Sequence, residues 1–338
     1  MSLSSVPAGH PAARVPRNSA PVRFLVLALI WGMSFLLIKI ADEQLAALHV
    51  AAGRVLFGAA TLLVILVVRR DALPRGRRTW AHLAVVGLFA NVVPFTLYAY
   101  AERLVPSALA GICNATTPLF TVLIALLALP QERPDRRRVS GLVVGFLGVL
   151  VVLGVWQGLA AHSLAGAGMA LGAAACYGIA FGYIRRYLTG TTHSNIALSA
   201  GQLVAASVEL VAVTPLLAGV PHHLRPGPVL ALAALGVFGT GLAYVLQYGL
   251  VRDIGATTTS TVTYLIPVVA TAAGLLLLHE NLTWNEPVGA LVVLAGAALS
   301  QWRPRRRFSP GRGRGATSRR GPSPVRCTEP VRSGPPRR

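Results

Sequence analysis

The 338-residue chain is too apolar to be an ordinary water-soluble protein. Apolar residues make up 54% of it, charged residues only 12%, and its mean hydropathy is +0.61, which predicts an integral membrane protein. The formal charge is +20, but residues 303–338 hold twelve arginines against one acid, so most of that excess lies in a tail. The three isolated cysteines indicate neither a disulfide framework nor a metal site.

A polar leader precedes ten apolar segments. Residues 1–21 lack the apolar core of a signal peptide and are predicted to be a disordered cytoplasmic leader. Each following segment has the length, about 17–25 residues, of a helix that spans a bilayer. The segments are continuously apolar, without the alternation of a strand, so the predicted fold is all-α. The predicted spans are 22–41, 46–68, 79–101, 105–129, 138–156, 164–187, 194–217, 227–251, 255–278 and 285–302.

The placement of arginines predicts the orientation, because cytoplasmic loops retain positive charge. With the N-terminus in the cytoplasm, the outer loops hold only Arg103 and Arg225. The tail is then also cytoplasmic, which gives an N-in, C-in topology. The inner loops hold Arg69, Arg70, Arg75, Arg77, Arg78, Arg133, Arg136, Arg137, Arg138, Arg185, Arg186 and Arg252.

The two halves of the apolar region repeat one another. Pro118 corresponds to Pro267, 149 residues further along, and Glu132 corresponds to Glu280 after a one-residue deletion. The units are residues 22–156 and 164–302, with five predicted helices each. Because five is odd, the second unit enters the membrane from the opposite side, so the repeats are predicted to be inverted. Inverted repeats are typical of transporters that bind their substrate near the membrane midplane.

Two ordered sets of residues carry a family resemblance. The first comprises Trp31, Gly32, Phe35, Arg54, residues 108–118, Glu132 and Gly141, and the second comprises residues 257–267, Glu280, Leu282, Thr283 and Gly289. In these positions the chain resembles an EamA-type member of the drug/metabolite transporter (DMT) superfamily, over about residues 22–302. The resemblance implies ten helices, a central cavity and the movement of small metabolites, often outward. The arginine-rich tail departs from the family pattern.

Three ionisable side chains inside predicted helices need an explanation, because such a group costs about 2.5–3.5 kcal/mol at a helix centre. We interpret Glu209 as the proton-coupling residue, since desolvation disfavours its charged form; a structural or solvated carboxylate is the alternative. Arg54 is suited to hold a substrate carboxylate bidentately; the alternatives are that it snorkels to headgroups or pairs with Asp42 or Glu43. Lys39 is expected to snorkel or to pair with Asp42 or Glu43.

Polar and aromatic residues on corresponding helices predict a cavity lining. Asn91, Phe95 and Tyr98 share one helical face by their spacing of four and three residues. Such a face suits a small amphipathic metabolite, whereas hydrogen bonding and packing between helices is the structural alternative. The residues predicted to bind substrate are Trp31, Arg54, Asn91, Phe95, Tyr98, Asn114, Thr117, Gln202, Tyr244, Gln247 and Tyr264.

Two prolines are predicted to loosen helices near the middle of the membrane. A proline leaves the carbonyl four residues earlier without its helical donor, so Pro118 and Pro267 are interpreted as kinks that gate or bind, with a static kink as the alternative. Glu132 and Glu280 are expected to pair with nearby arginines or to cap a neighbouring helix.

No enzyme motif is present: His279 and Glu280 lack the second histidine of a zinc helix, and there is no phosphate-binding loop. We predict a secondary transporter without a metal or cofactor, which moves a small metabolite, amino-acid-like compound or drug by proton-coupled export. The expected partners are this substrate, protons and the lipid bilayer; a homodimer stays open, and nucleic-acid binding is not favoured.

The expected location is a bacterial inner membrane. Among 31 basic residues only Lys39 is a lysine, a bias that favours a GC-rich bacterial source. The alternative function is a membrane scaffold whose basic tail recruits a partner, lipid headgroups or nucleic acid.

Overall fold

The computed structural model describes residues 19–128, 136–154, 161–188, 191, 193–221, 225–254, 259, 261–281 and 283–301. Within these ranges all regular structure is helical. Most of the predicted leader, Glu132 and the arginine-rich tail lie outside the described residues. The first half contains α1 (Ala20–Asp42), α2 (Ala47–Val68), α3 (Arg77–Gly87), a π segment (Leu88–Val92), α4 (Val93–Glu102), α5 (Ser107–Asn114), α6 (Thr117–Ala128) and α7 (Arg136–Val152).

The second half has a similar order of elements. It contains α8 (Ala161–Tyr187), α9 (Asn195–Ala218), α10 (Pro226–Gly236), a second π segment (Val237–Leu242), α11 (Ala243–Ile254), a 3₁₀ turn (Thr261–Tyr264), α12 (Ile266–Leu277) and α13 (Asn285–Gln301).

Helices long and apolar enough to span a membrane occupy seven of the ten predicted positions. In the described part of the chain, three shorter apolar helices, Val139–Val152, Val262–Leu277 and Asn285–Ser300, lie at the other three. The seven long spans are Ala20–Asp42, Ala47–Val68, Arg77–Glu102, Ser107–Ile124, Leu164–Tyr187, Asn195–Ala218 and Pro226–Ile254.

Four of the predicted continuous helices are interrupted. Those over 79–101 and 227–251 each contain a π segment, and those over 105–129 and 255–278 are divided just before a proline. Pro94, Pro118 and Pro267 each lack an N–H donor, which favours an interruption at or just before the proline. The first span also begins at Ala20 rather than residue 22, because Pro21 is well suited to the first helical turn.

The surface of the helical bundle is apolar. Large aliphatic side chains are exposed on several helices, among them Val67, Leu216 and Leu276. Such a surface is stable against lipid chains, and helices satisfy their backbone hydrogen bonds internally, as a membrane requires. Together, the apolar surface and the apolar helices indicate a multi-pass membrane protein.

The two halves pack directly against each other. Helix α2 lies along α9, α1 lies along α12, and α7 lies along α13. Glycines bring α7 and α13 into backbone contact: a Cβ at Gly289 would lie 2.5 Å from Val152 N, and one at Gly141 would lie 2.5 Å from Ser300 N. In membranes, small residues of this kind permit the close packing that stabilises a helix pair.

Helix α1 is joined to the second half near both of its ends. Arg23 Nη2 lies 2.7 Å from Asp253 Oδ2, and Lys39 Nζ lies 3.1 Å from Glu280 Oε1. Between these two ion pairs the interior contains buried polar side chains from both halves, which form the candidate site.

Candidate functional site

Arg54 is the central residue of the site. It lies on α2 and is only 8% exposed. Its Nε donates to Thr240 Oγ1 at 3.0 Å, and its guanidinium carbon lies 3.9 Å from the centroid of the Phe95 ring. These contacts hold the guanidinium inside the bundle, in a hydrogen bond and a cation–π interaction. Arg54 therefore does not snorkel, and it does not pair with Asp42 or Glu43.

Arg54 has no anionic partner among the described residues. The ion pairs found in that part of the chain involve Arg23, Lys39, Arg103 and Arg252, and none involves Arg54. A buried charge is costly unless it is paired. The guanidinium retains N–H donors beyond the one given to Thr240, so it is suited to bind an anionic group.

Next to this cation, three side chains form a hydrogen-bonded chain across the two halves. Gln202 Nε2 donates to Asn91 Oδ1 at 2.6 Å, and Asn91 Nδ2 donates to Tyr244 Oη at 3.1 Å. Asn91 is fully buried. The three predicted residues are thus brought together, although much of their polar capacity is used by one another.

The π segments position two of the buried side chains. Asn91 lies in the first segment, Leu88–Val92, and Thr240 lies in the second, Val237–Leu242. A π turn widens the helix locally and is frequent at functional sites. Pro94 follows the first segment closely, and Gly239 and Gly241 flank Thr240, so the local sequence favours an irregular turn in both places.

Tyr98 extends the site towards the broken helix. Its hydroxyl donates to Asn114 Oδ1 at 2.9 Å, at the end of α5. The Tyr98 ring packs edge-on against Phe35, with centroids 5.5 Å apart, and lies beside Tyr177 at 6.2 Å. Phe95, Tyr98 and Tyr177 therefore supply aromatic surface next to the Arg54 guanidinium.

Both predicted kinks are located at helix starts. Pro118 is the second residue of α6 and Pro267 is the second residue of α12, where a missing N–H donor costs little. Thr117 and Tyr264 lie beside these interruptions, and each has a buried hydroxyl oxygen without a hydrogen-bond partner among the described residues. Substrate binding by these hydroxyls and gating by the prolines stay predictions.

Three further predicted residues, like Thr117 and Tyr264, lie outside the hydrogen-bonded group around Arg54. Trp31 is half-buried and packs against the apolar core beside α1, and Gln247 is half-buried on α11. Glu209 is half-buried on α9, and its buried Oε2 has no hydrogen-bond partner among the described residues. It lies seven residues from Gln202, about 10 Å along the helix.

A model of the EamA-like transporter family matches residues 20–154 and, separately, residues 164–302. The chain belongs to the EamA-like transporter family. The two matches together cover most of the chain, and the Arg54 site takes side chains from both: Arg54, Phe95 and Asn91 from the first, and Gln202 and Thr240 from the second.

Relatives of this EamA protein bear transporter names. The "Uncharacterized transporter YoaV" of Bacillus subtilis is 26% identical over 278 residues, which cover 81% of this chain and 94% of that protein. The "Uncharacterized inner membrane transporter YedA" of Escherichia coli K12 is 26% identical over 283 residues, which cover 81% and 87%. A solved crystal structure aligns with a TM-score of 0.60 at 22% identity, over 84% of this chain and 99% of its own, which shows the same fold.

Two residues of this EamA site are absent from the set predicted from sequence. Thr240, the hydrogen-bond partner of Arg54, lies at the position that the predicted repeat aligns with Asn91, and this alignment could have identified it. Tyr177, beside Tyr98, is an aromatic residue in an alanine-rich helix and precedes the close-packing Gly178. Its position beside Tyr98 depends on how α8 packs against α4, which residue spacing does not show.

Proposed function

We propose that this EamA protein is a secondary transporter that exports a small metabolite, amino-acid-like compound or drug by proton-coupled alternating access. The observation that carries the proposal is Arg54, a buried cation without a carboxylate partner among the described residues. Its guanidinium is suited to a carboxylate on the substrate, because the two groups can form paired hydrogen bonds. We therefore favour an anionic or zwitterionic substrate.

The arrangement around Arg54 supports alternating access. The guanidinium is on the first half and Thr240, its hydrogen-bond partner, is on the second. A ligand bound at such an interface changes the relative stability of two arrangements of the halves. The inverted relation of the halves, the N-in, C-in topology and the bacterial inner membrane are parts of the same proposal.

The first experiment compares ligands that differ only in the group Arg54 recognises. Purified protein is titrated with amino acids and with their amides, and ligand-induced thermal stabilisation is measured. The proposal expects stabilisation by acids but not by the matched amides, and loss of this discrimination in Arg54→Met. Arg225→Met is the control, because Arg225 is exposed. Equal stabilisation by acids and amides would refute carboxylate recognition.

The second experiment measures flux. A metabolite profile of cells with and without the protein identifies candidate substrates, and proteoliposomes then report transport with and without a pH gradient. Flux that does not depend on the pH gradient would refute the proton coupling. Unchanged flux in Glu209→Gln would show that Glu209 is not the proton-coupling residue. Deleting residues 303–338 tests the scaffold alternative, because a transporter keeps its flux without a recruiting tail.

A further inference from the structure

Five charged residues lie together at the end of the bundle where α1 and α4 end and α5 begins. We call Lys39, Asp42, Glu102, Arg103 and Glu280 the end cluster. None of them is among the residues of the Arg54 site. The cluster joins the two halves, because Glu280 follows α12 whereas the other four residues belong to the first half.

Within the end cluster, Glu280 makes the contacts between the halves. Its Oε1 accepts hydrogen bonds from Lys39 Nζ at 3.1 Å and from the backbone N–H of Ser107 at 3.0 Å. Ser107 is the first residue of α5, so this N–H has no partner within its helix. The expected pairing of Glu280 with a nearby arginine is thus wrong for this residue, whereas the expected capping of a neighbouring helix is observed.

The backbone after α12 is shaped for this contact. His279 has a left-handed φ of 52°, an uncommon conformation for a residue with a side chain. It turns the chain so that Glu280 lies back against α12, where a Cβ at Gly274 would overlap the Glu280 Oε2 atom. This Oε2 atom is buried and has no hydrogen-bond partner in the described part of the chain.

The second cation of the end cluster is fully engaged elsewhere. Arg103 donates through Nε and Nη2 to the two carboxylate oxygens of Asp42, both at 2.7 Å, and its Nη2 also donates to the Leu45 carbonyl at 2.6 Å. This bidentate pair neutralises Asp42. Lys39 and Arg103 therefore neutralise Glu280 and Asp42, and neither of them forms an ion pair with Glu102.

Glu102 is the carboxylate that remains. It is 2% exposed, its Oε2 accepts a hydrogen bond from Ser107 Oγ at 2.8 Å, and its buried Oε1 has no partner among the described residues. Glu286, at the start of α13, adds a further carboxylate near Glu280. Carboxylates thus outnumber cations in this region of the described chain. A buried carboxylate without a cation is far less costly when it is neutral.

We propose that Glu102 is a proton-binding site whose occupancy controls the contact of Glu280 with Lys39 and Ser107. With a proton bound, neutral Glu102 leaves Lys39 and the Ser107 N–H to Glu280, and the halves are joined at this end. Once Glu102 loses the proton, its charge repels Glu280 and competes for Lys39, because Glu102 and Glu280 both accept hydrogen bonds from Ser107 and Lys39 is bound to Glu280. Proton binding closes this end of the protein, and proton loss opens it.

This inference rests on the proposed export function and assigns it a second coupling residue, besides Glu209. In the N-in topology the end cluster lies at the outer end of the bundle. A proton that binds Glu102 from outside after substrate release closes the outer end.

The proton is detected directly by infrared spectroscopy, which needs no substrate. Full-length protein in liposomes is titrated from acidic to alkaline buffer, and the carbonyl band of protonated carboxylic acids is recorded. The proposal expects part of this band to be lost in Glu102→Gln and to be unchanged in Glu43→Gln, which removes an exposed carboxylate at the same end. A band that is unchanged in Glu102→Gln would overturn the proposal. The proposal would also be overturned if sodium ions, rather than protons, were found to bind at Glu102.

The effect of Glu102 protonation on the distance between the two halves is measured by double electron–electron resonance spectroscopy. Spin labels are attached to Tyr100→Cys and Asn281→Cys, two exposed positions on either side of the end cluster, after the native cysteines are replaced by serine. The expected result is a distance that lengthens in alkaline buffer, stays short at every pH in Glu102→Gln, and is long at every pH in Lys39→Ala. A distance that follows pH equally with and without the Glu102 carboxylate would refute the control of closure by Glu102.

The two readouts separate this proposal from the proposed function. If both behave as expected and no pH-dependent flux is found, proton-coupled export is wrong and the proton-controlled contact stands. If flux depends on the pH gradient while the infrared band is insensitive to Glu102→Gln, the transporter stands and the Glu102 site is overturned.

Discussion

Replacing Arg54 by methionine is expected to weaken substrate binding by about 10- to 100-fold while leaving the protein folded. The variant keeps a long side chain and removes the buried charge. It loses a cation–π contact with Phe95, about 0.5–2 kcal/mol, and a hydrogen bond to Thr240, whose stranded hydroxyl costs about 1–3 kcal/mol. The variant also avoids the free-energy cost of placing an arginine inside the membrane, about 2.5–3.5 kcal/mol, which stabilises it. The loss of the two contacts and the avoided insertion cost nearly cancel, so the free energy of unfolding of Arg54→Met should lie within about 2 kcal/mol of that of the parent protein.

The paired substitution sharpens this expectation. In Arg54→Met with Thr240→Val neither partner is left stranded, so the double variant should be more stable than Arg54→Met by about 1 kcal/mol. A double-mutant cycle of unfolding in mixed detergent micelles measures the coupling between the two positions, expected at about 0.5–3 kcal/mol. Ligand affinity should fall by about 10- to 100-fold in Arg54→Met, since a charge-assisted hydrogen bond contributes about 1.5–3 kcal/mol.

One result would refute this reasoning. If Arg54→Met unfolds with a loss of more than about 4 kcal/mol, Arg54 is the partner of a buried anion, as breaking such a pair costs about 3–5 kcal/mol. Arg54 would then be a structural residue, and the substrate carboxylate would need another cation. Arg225→Met is again the control, and it should change neither stability nor binding.

Three further predictions concern packing, polar burial and topology. Gly289→Val should separate α7 from α13, because its Cβ meets the backbone of Val152; the loss of folded protein is measured by size-exclusion chromatography in detergent, and unchanged yield would contradict the close packing. Asn91→Leu should destabilise the protein by about 2–4 kcal/mol in unfolding experiments, because two hydrogen bonds are broken and their partners stay buried. Reporter fusions after Trp156 and after Arg252 should report opposite sides of the membrane, and a same-side result would disprove the inverted repeat.

The interrupted helices show where local sequence was informative and where it was not. Pro118 and Pro267 mark two of the breaks, because a proline cannot donate to the preceding turn. The π segments were not predicted, since Pro94 and the glycines beside Thr240 are compatible with several irregular turns. The choice among these turns depends on the packing of neighbouring helices, which the local sequence does not contain.

The charged residues show the same division more clearly. The sequence predicts that Lys39 snorkels or pairs with Asp42 or Glu43 nearby, but Lys39 pairs with Glu280, 241 residues further along the chain. Asp42 pairs instead with Arg103, a partner 61 residues away. Short sequence separation favoured the wrong partners, because the rotation and packing of whole helices decide which charges meet.

The sequence by itself determined the membrane class, the family and the positions of the apolar helices. Continuous apolar runs of this length are stable only in lipid, and the glycines and prolines predict a repeat whatever the packing. Only the tertiary structure decided that Arg54 meets Thr240, that Asn91 joins Gln202 to Tyr244, and that Glu102 has no cation partner among the described residues. The physical reason is that each of these contacts, or its absence, depends on how helices distant in sequence pack against each other. A hydropathy pattern specifies which segments enter the membrane, but it does not specify which helix faces contact one another.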